Sequence, residues 1–420
     1  MRQERPRKAY VIGAGLSGLA TAVALAAAGV EVEVSEAAAQ AGGRCRSYHD
    51  TQLGLVIDNG NHLVLSGNRA VQRYLEMVGA SDRLVGPARA RFAFADVRSG
   101  EQWLLHPNEG RIPWWIFDPA RRVPKSKSSD YIALAGLLDP KPGLRVDQVI
   151  STHGVVWERL MQPFLLAALN VAPEQGCAAL AAAVVRETLA KGGRAYRPRI
   201  AHPTLSAAFV DPGAAFLSSR GGRLRLGRRL RRLDFAADRI GALAFSDGDV
   251  PLAADGPVIL ATPPWVSQEL VPDLTAPDAF CAILNGHFRI APPPGAEPMV
   301  GLVGGLAEWV FAFEDRISVT VSGADRLLDL DREDLARRLW ADVAKVYALP
   351  PDLPPWQILK ERRATFAATP EQAAKRPGAR TQWSNLFLAG DWTDTGLPAT
   401  IEGALRSGFQ AADLALECLT

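Results

Sequence analysis

The chain has 420 residues, 22% of them charged and 48% hydrophobic, so it is long enough for more than one core and lies well outside the disordered class. Lys and Arg number 47 against 45 Asp and Glu, a net charge of +2, and no bulk field attracts nucleic acid. Cys45, Cys177, Cys281 and Cys418 lie far apart without CxxC or zinc-like spacing, which fits a reducing, cytoplasmic compartment. The six histidines show no metal spacing, and no metal site is expected.

The start, MRQERPRKAY, is basic, but the apolar run behind it carries a glycine loop and no cleavage site, so no signal peptide is expected. Residues 9–36 alternate in the βαβ manner. AYVIGAG is a buried strand with its turn, LSGLATAVALAAAG an Ala-rich helix closed by Gly29, and VEVEVSE a second strand. From about 66 to 200 the βα rhythm gives way to an irregular, helical stretch with Trp103, Trp114, Trp115 and Trp157. Within it, LMQPFLLAALNV has the length of a buried helix. Short strands return between 205 and 262, ending in GPVILATPP, and the arginines from Arg220 to Arg232, interleaved with leucine, read as one solvated strand face. Residues 276–375 hold strands at AILNGHFRI and ISVTVSG, then a helix from Asp331 to Tyr347 stopped by the prolines at 350–355. NLFLAGD closes the pattern as a buried strand with its turn, and a final helix starts near Thr400. The expected class is α/β. A Rossmann-type nucleotide-binding domain takes residues 1–65, 205–275 and 376–420, and a discontinuous α+β domain takes 66–204 and 276–375.

Chemistry concentrates at the two ends. Gly13, Gly15 and Gly18, with Ala14 and Ser17 between them, form GxGxxG after a strand and at a helix start, where backbone N–H groups and the helix dipole hold a pyrophosphate. Glu36 ends the second strand, placed for ribose hydroxyls. Gly42, Gly43 and Arg44 follow in one loop, suited to phosphate or flavin oxygens. At the far end Gly390 and Asp391 follow a strand, and Leu397, Pro398, Ala399 and Thr400 lead into the last helix. Two nucleotide-facing turns at opposite chain ends suit a long dinucleotide, FAD. The GxGxxG unit at Gly13 is the one complete nucleotide motif, so no separate NAD(P)H site is expected and electrons come from an external donor or reductase.

VIGAGLSGL, Glu36 with GGR, LATPP and LFLAGDWTDTGLPATIEGA together resemble the flavin-dependent amine oxidase and phytoene desaturase superfamily. IPWWIFDPARRVP, SDYIAL, LMQPFLLAALNV, RGGRLRLGRRLRRLDF and KERRATFAATPEQ are similar to its squalene-associated branch, the bacterial hydroxysqualene dehydroxylases. The resemblance runs over nearly the whole chain. It implies an amine-oxidase-like, GDI-like architecture, and reduction of hydroxysqualene to squalene with loss of water. It also places Gly60, Asn61 and His62 under the flavin ring and the backbone of Leu230 against the adenine. PKSKSS at 124–129 departs from the family's hairpin there.

Such a reaction needs an acid for the leaving hydroxyl. Asp394, in the DWTDTGLP turn, ranks first, ahead of Asp58, His62 and Glu402, on the expectation that burial keeps a carboxyl protonated. A C30 substrate points to a peripheral membrane surface, with Trp114, Trp115, Arg121 and Arg122 as the expected contacts. Rival readings are a carotenoid-type desaturase, an amine oxidase, and an isoprenoid-binding protein of the Rab-GDI kind.

Overall fold

The computed structural model describes residues 7–253 and 256–419; the basic start of the chain falls mostly outside the described residues. The first strand, Lys8–Ile12, the helix Leu16–Ala27 and the second strand, Glu31–Ser35, form as the periodicity predicts. The helix is alanine-rich because it is covered on nearly every side. Its neighbour is the last helix, Ile401–Cys418, which approaches so closely that a Cβ on Gly408 would stand 2.3 Å from Ser17 O. Thr21 Oγ1 bridges the two helices, donating to Ser17 O and to Gly408 O at 2.9 Å each.

Five parallel strands form the first sheet in the order Arg223–Arg225, Glu31–Ser35, Lys8–Ile12, Val258–Leu260, Leu386–Leu388. The first strand therefore has an early strand on one side and a late one on the other. At such a switch point the carboxyl ends of the strands open a crevice, and Gly13, Glu36, Ala261 and Gly390 all stand at those ends.

The second layer is a seven-stranded sheet in the order Trp356–Phe366, Phe280–Phe288, Ile317–Val321, Trp309–Ala312, Met299–Val303, Phe92–Asp96, Gln102–Leu105. Helix Arg332–Tyr347, capped by Asp331 whose side chain accepts from the N–H groups of Glu333 and Asp334, covers one face. Leu335, Leu339, Trp340 and Val343 pack there with Leu284, Phe288, Val319 and Val321. The other face carries Asn285, Thr320, Trp309 and Phe94, and the first and last of these reach or lie among the residues of the nucleotide-binding layer and the 130–190 helices.

Several expectations are corrected. The stretch after residue 66 is not wholly helical: Phe92–Asp96 and Gln102–Leu105 pair as a hairpin on the edge of the seven-stranded sheet. Helix Arg69–Met77 packs on the last helix, where Glu402 caps its start, and Tyr74 donates to Phe209 O at 2.7 Å. Two short strands, Leu55–Asp58 and Leu63–Leu65, are parted by Asn59–His62. The arginine-rich run is likewise split, Arg223–Arg225 joining the parallel sheet and Leu230–Ala236 a three-stranded meander. Its arginines are not all solvated, because Arg225 and Arg228 reach Glu33 at 3.2 and 2.7 Å, and Arg228 lies 3.8 Å over the Phe245 ring.

The expected membrane contacts also separate. Trp114–Phe117 is a 3₁₀ turn, in which residues three apart share a face, so Trp114 and Phe117 point out while Trp115 and Ile116 are buried. Trp115 packs edge-on against Tyr131 at 5.3 Å and belongs to the core. Arg121 and Arg122 are turned inward, donating to His106 O at 2.8 Å and Ile116 O at 2.7 Å.

Candidate FAD and active site

The glycine loop is shaped by close backbone contacts. A Cβ on Gly13, whose φ is +106°, would stand 2.5 Å from Ala261 O, and one on Gly18 only 1.9 Å from Gly13 O. Gly15 differs: its φ is −72° and a Cβ there would meet no protein atom within 4 Å. It is the N-cap of helix Leu16–Ala27, and no side chain caps that end. An uncapped helix start beside a residue with free space is the cradle a pyrophosphate needs.

Glu36 holds this loop. Its carboxylate accepts from the N–H groups of Ala14 and Ala38 at 2.8 Å each. Gly42 N donates to Ala14 O at 2.8 Å, and a Cβ on Gly43 would lie 3.4 Å from Gly15 Cα, so the second glycine pair is pressed against the first. Ser17 is buried, its carbonyl committed to the contact between the first and last helices. Leu230 heads its strand just after the segment in which Arg225 O accepts from Glu36 N and Arg228 N donates to Glu36 O.

Arg44 joins the chain ends. It donates to Asp391 Oδ1 at 2.7 Å and to Ala364 O at 2.5 Å. Of its side chain, 44% is accessible, at the rim where the glycine turns meet. Gly390, at φ +155°, fits under Trp392, whose indole a Cβ there would meet at 2.3 Å, and its N–H donates to Ser407 Oγ at 2.9 Å. No local pattern marks Arg376, which is buried and clamps this turn. It donates to the carbonyls of Asp391 and Thr393 and to Thr395 Oγ1, and packs on Phe366. Leu397 and Pro398 are buried, Ala399 is half-buried, and Thr400 is the N-cap of the last helix, accepting from Gly403 N at 3.0 Å.

Between the layers, Asn59–His62 meets the seven-stranded sheet. Asn61 N and Nδ2 point to Asn285 Oδ1 at 3.4 and 3.5 Å, and Nδ2 donates to Thr320 Oγ1 at 3.1 Å. Asn59 Nδ2 donates to Glu361 at 3.2 Å. A Cβ on Gly60 would lie 3.3 Å from Asn285 Nδ2 and 3.7 Å from the His62 ring. Asn285, Thr320 and Glu361 are site residues that sequence reading missed. Asn285 had a usable signal, a buried amide in the apolar run AILNGHF.

The proposed acids fare differently from expectation. Asp394 is exposed and its carboxylate accepts from Gly396 N at 3.3 Å, so the burial that ranked it first is absent. Glu402 is buried but committed, accepting from Ala70 N and Val71 N at 3.1 Å and from Arg406 at 3.2 Å. Burial raises the Asp58 carboxyl, yet it already accepts from Ser47 Oγ and Leu205 N at 2.5 and 2.9 Å, which ties it to the segment Ser206–Val210. His62 is driven down to about 4 by burial and by the Arg44 charge, so its imidazole is neutral at pH 7 and lacks the imidazolium proton an acid would give.

The model for flavin containing amine oxidoreductases matches residues 16–416. The chain belongs to that family. Hydroxysqualene dehydroxylase of Rhodopseudomonas palustris is 53% identical over 408 residues, 97% of this chain and 98% of that one. The enzyme of the same name from Sinorhizobium fredii is 51% identical over 98% of this chain and 99% of its own. These relatives place the chain in the hydroxysqualene dehydroxylase branch. Among solved structures, cyclohexylamine oxidase from Brevibacterium oxydans superposes with a TM-score of 0.74 over 99% of this chain and 100% of its own, at 14% identity, and shares the fold.

The residues fit the family's cofactor, FAD. Gly15 and the start of the first helix offer donors for a pyrophosphate, Arg44 turns a cation into the cleft, and Gly390 brings a second backbone turn to the same crevice. Gly15→Val tests the cradle. The purified apoprotein should melt almost as wild type does, because a Cβ at that position meets no protein atom within 4 Å, while FAD content is lost. Gly18→Ala should instead lower stability by roughly 1–3 kcal/mol through backbone overlap. Equal melting losses for the two variants would contradict this division.

Proposed function

We propose that this protein is an FAD-dependent enzyme that reduces hydroxysqualene to squalene with loss of water. The observation that carries the reading is end-to-end kinship with the dehydroxylases, joined to a cleft whose glycine turns and Arg44 suit the flavin. Reduced FAD, when bound, supplies the hydride equivalent. Gly13, Gly15, Gly18, Glu36, Gly42, Gly43 and Arg44 hold its phosphates and ribose from one side, and Gly390, Asp391 and Leu397–Thr400 from the other. Asn61 and Asn285 bring amides to the region between the layers, with Gly60 keeping the backbone close. Leu165, Leu169, Met299, Phe311 and Phe366 make the neighbouring core apolar, which keeps water from an allylic cation. No second nucleotide motif accompanies the first, so NADPH added to the pure protein should leave its flavin oxidised, and an outside reductase is the electron source.

The substrate enters from a membrane surface. Ile112, Trp114, Phe117 and Ile132 are 59%, 63%, 58% and 62% exposed, and Leu138 joins them. Arg111, Lys125 and Lys127 stand exposed in the same stretch, suited to anionic headgroups. No helix among the described residues is long and apolar enough to cross a membrane, so the contact is peripheral in this reading.

Two experiments test it. Anaerobic incubation of the photoreduced protein with hydroxysqualene should yield squalene and oxidised flavin; recovery of unchanged alcohol would remove the substrate assignment. The double variant Trp114→Ser, Phe117→Ser should weaken binding to anionic liposomes by more than about tenfold, since each buried apolar side chain contributes roughly 2 kcal/mol. Its melting temperature should hold, whereas Trp115→Ser should lower it.

A further inference from the structure

The seven-stranded sheet contains an irregularity that turns a carboxyl toward its apolar face. Trp309 is paired with Thr320, and Glu308 N also donates to Thr320 O at 3.4 Å, so two residues face one across the ladder. The alternation slips there. Ala307 packs with the core under helix Arg332–Tyr347, and Trp309, two residues on, packs with the opposite core. Glu308 is the residue at the slip. Its Oε2 accepts from Ser322 N at 2.7 Å, and Ser322 follows Thr320 by two residues on the strand side that meets Asn61. The Glu308 side chain is half-buried.

What lies around Glu308 suits one task. Trp309, Phe94 and Trp103 form an aromatic group, with ring centroids 5.7 Å apart for Phe94 and Trp309 and 5.6 Å for Phe94 and Trp103. Trp309 is buried, and its indole N–H has no acceptor in the protein, a donor that a substrate oxygen would satisfy. Strands Met299–Val303, Trp309–Ala312 and Ile317–Val321, and helix Gln162–Leu169, which packs on the first of them, contain no ionisable side chain. The cation acting on Glu308 is Arg326, exposed in the turn after Ser322.

On the function proposed above, we propose that Glu308 is the general acid that protonates the hydroxyl of the substrate as it leaves, with the Trp309 N–H holding that oxygen. The C–O bond breaks with its electron pair going to oxygen, the Glu308 proton completes a water molecule, and Glu308 is left as a carboxylate. The allylic cation would face the aromatic group, and reduced FAD, held by the glycine turns and Arg44, would supply the hydride equivalent that quenches it and the two electrons the reduction needs. Solvent protons restore the acid. Burial, opposed by the Ser322 N–H, raises the Glu308 carboxyl to about 7, so a large share carries the proton at neutral pH. Among its rivals, Asp58 Oδ1 accepts from two donors and Glu402 from three, which favour their ionised forms, and Asp391 is paired with Arg44.

Glu308→Gln keeps an acceptor for Ser322 N and removes the proton. In single turnovers of FAD-loaded, photoreduced protein, the variant should form squalene about 10²–10⁴-fold more slowly. Its flavin content and melting temperature should match wild type. The wild-type rate should be highest below about 7 and fall as pH rises past it, because the active form is the protonated one, and the variant should lose that break. The acetate ester of the substrate alcohol, whose leaving group needs no proton, should narrow the gap between the two proteins. Squalene formation by Glu308→Gln within a few-fold of wild type, or a pH break that survives in it, overturns the role of Glu308 while leaving the function standing. A wild type that makes no squalene overturns both.

Discussion

The ion pair between Arg44 and Asp391 spans 347 positions of sequence and closes the cofactor crevice. It depends on the parallel sheet: Arg44 follows Glu31–Ser35 and Asp391 follows Leu386–Leu388, and because the strands run parallel both segments leave at the same rim. A buried carboxylate beside a pyrophosphate would repel it. Paired with Arg44, Asp391 is neutralised, and the half-accessible guanidinium keeps a face for the anion. Arg376 then locks the backbone that presents Asp391, donating to the carbonyls of Asp391 and Thr393 and to Thr395 Oγ1 of the DWTDT loop. The crevice is thus built by charges whose partners lie at opposite ends of the chain, on a scaffold of small residues that lets the first and last helices touch.

Local pattern made the nucleotide-binding unit legible. Strand, glycine turn, alanine-rich helix, strand and acid occur within 28 residues, and each is dictated by its neighbours in sequence. The same holds for helix Arg332–Tyr347, with Asp331 at its cap and prolines beyond its end. The hairpin Phe92–Leu105 was not read, although FAFAD and QWLL alternate, because tryptophan and leucine in a helical neighbourhood suit either period. Arg376 had no local signal at all. Its role comes from the turn it meets 15 to 19 positions later, which only the folded chain reveals.

Burial by itself does not make a carboxyl an acid. Asp58 and Glu402 are among the most enclosed carboxylates of the chain, and both are occupied as structural acceptors, one binding the Ser47 and Leu205 region and the other capping Arg69–Met77. Donors that favour the ionised form oppose the desolvation that would keep the proton. Asp394 illustrates the converse: it lies in the expected loop, yet that loop turns its side chain outward. Sequence could name the loop, but the direction of a side chain depends on the turn, and Arg376 sets that turn from outside it.

The apolar face on residues 112–138 follows from the same local rule. In IPWWIFDP, two tryptophans stand side by side, and composition treats them alike. A 3₁₀ turn, at three residues per turn, sends Trp114 and Phe117 one way and Trp115 and Ile116 the other. The buried pair fastens the segment to the core that continues to Leu165 and Trp309, so the exposed pair sits directly over that core. An insoluble C30 chain leaving a bilayer gains nothing by crossing water. On the proposed membrane contact, a segment with exposed apolar side chains on one side and buried ones on the other would hand such a chain to the same apolar core that holds Trp309, Phe94 and Trp103.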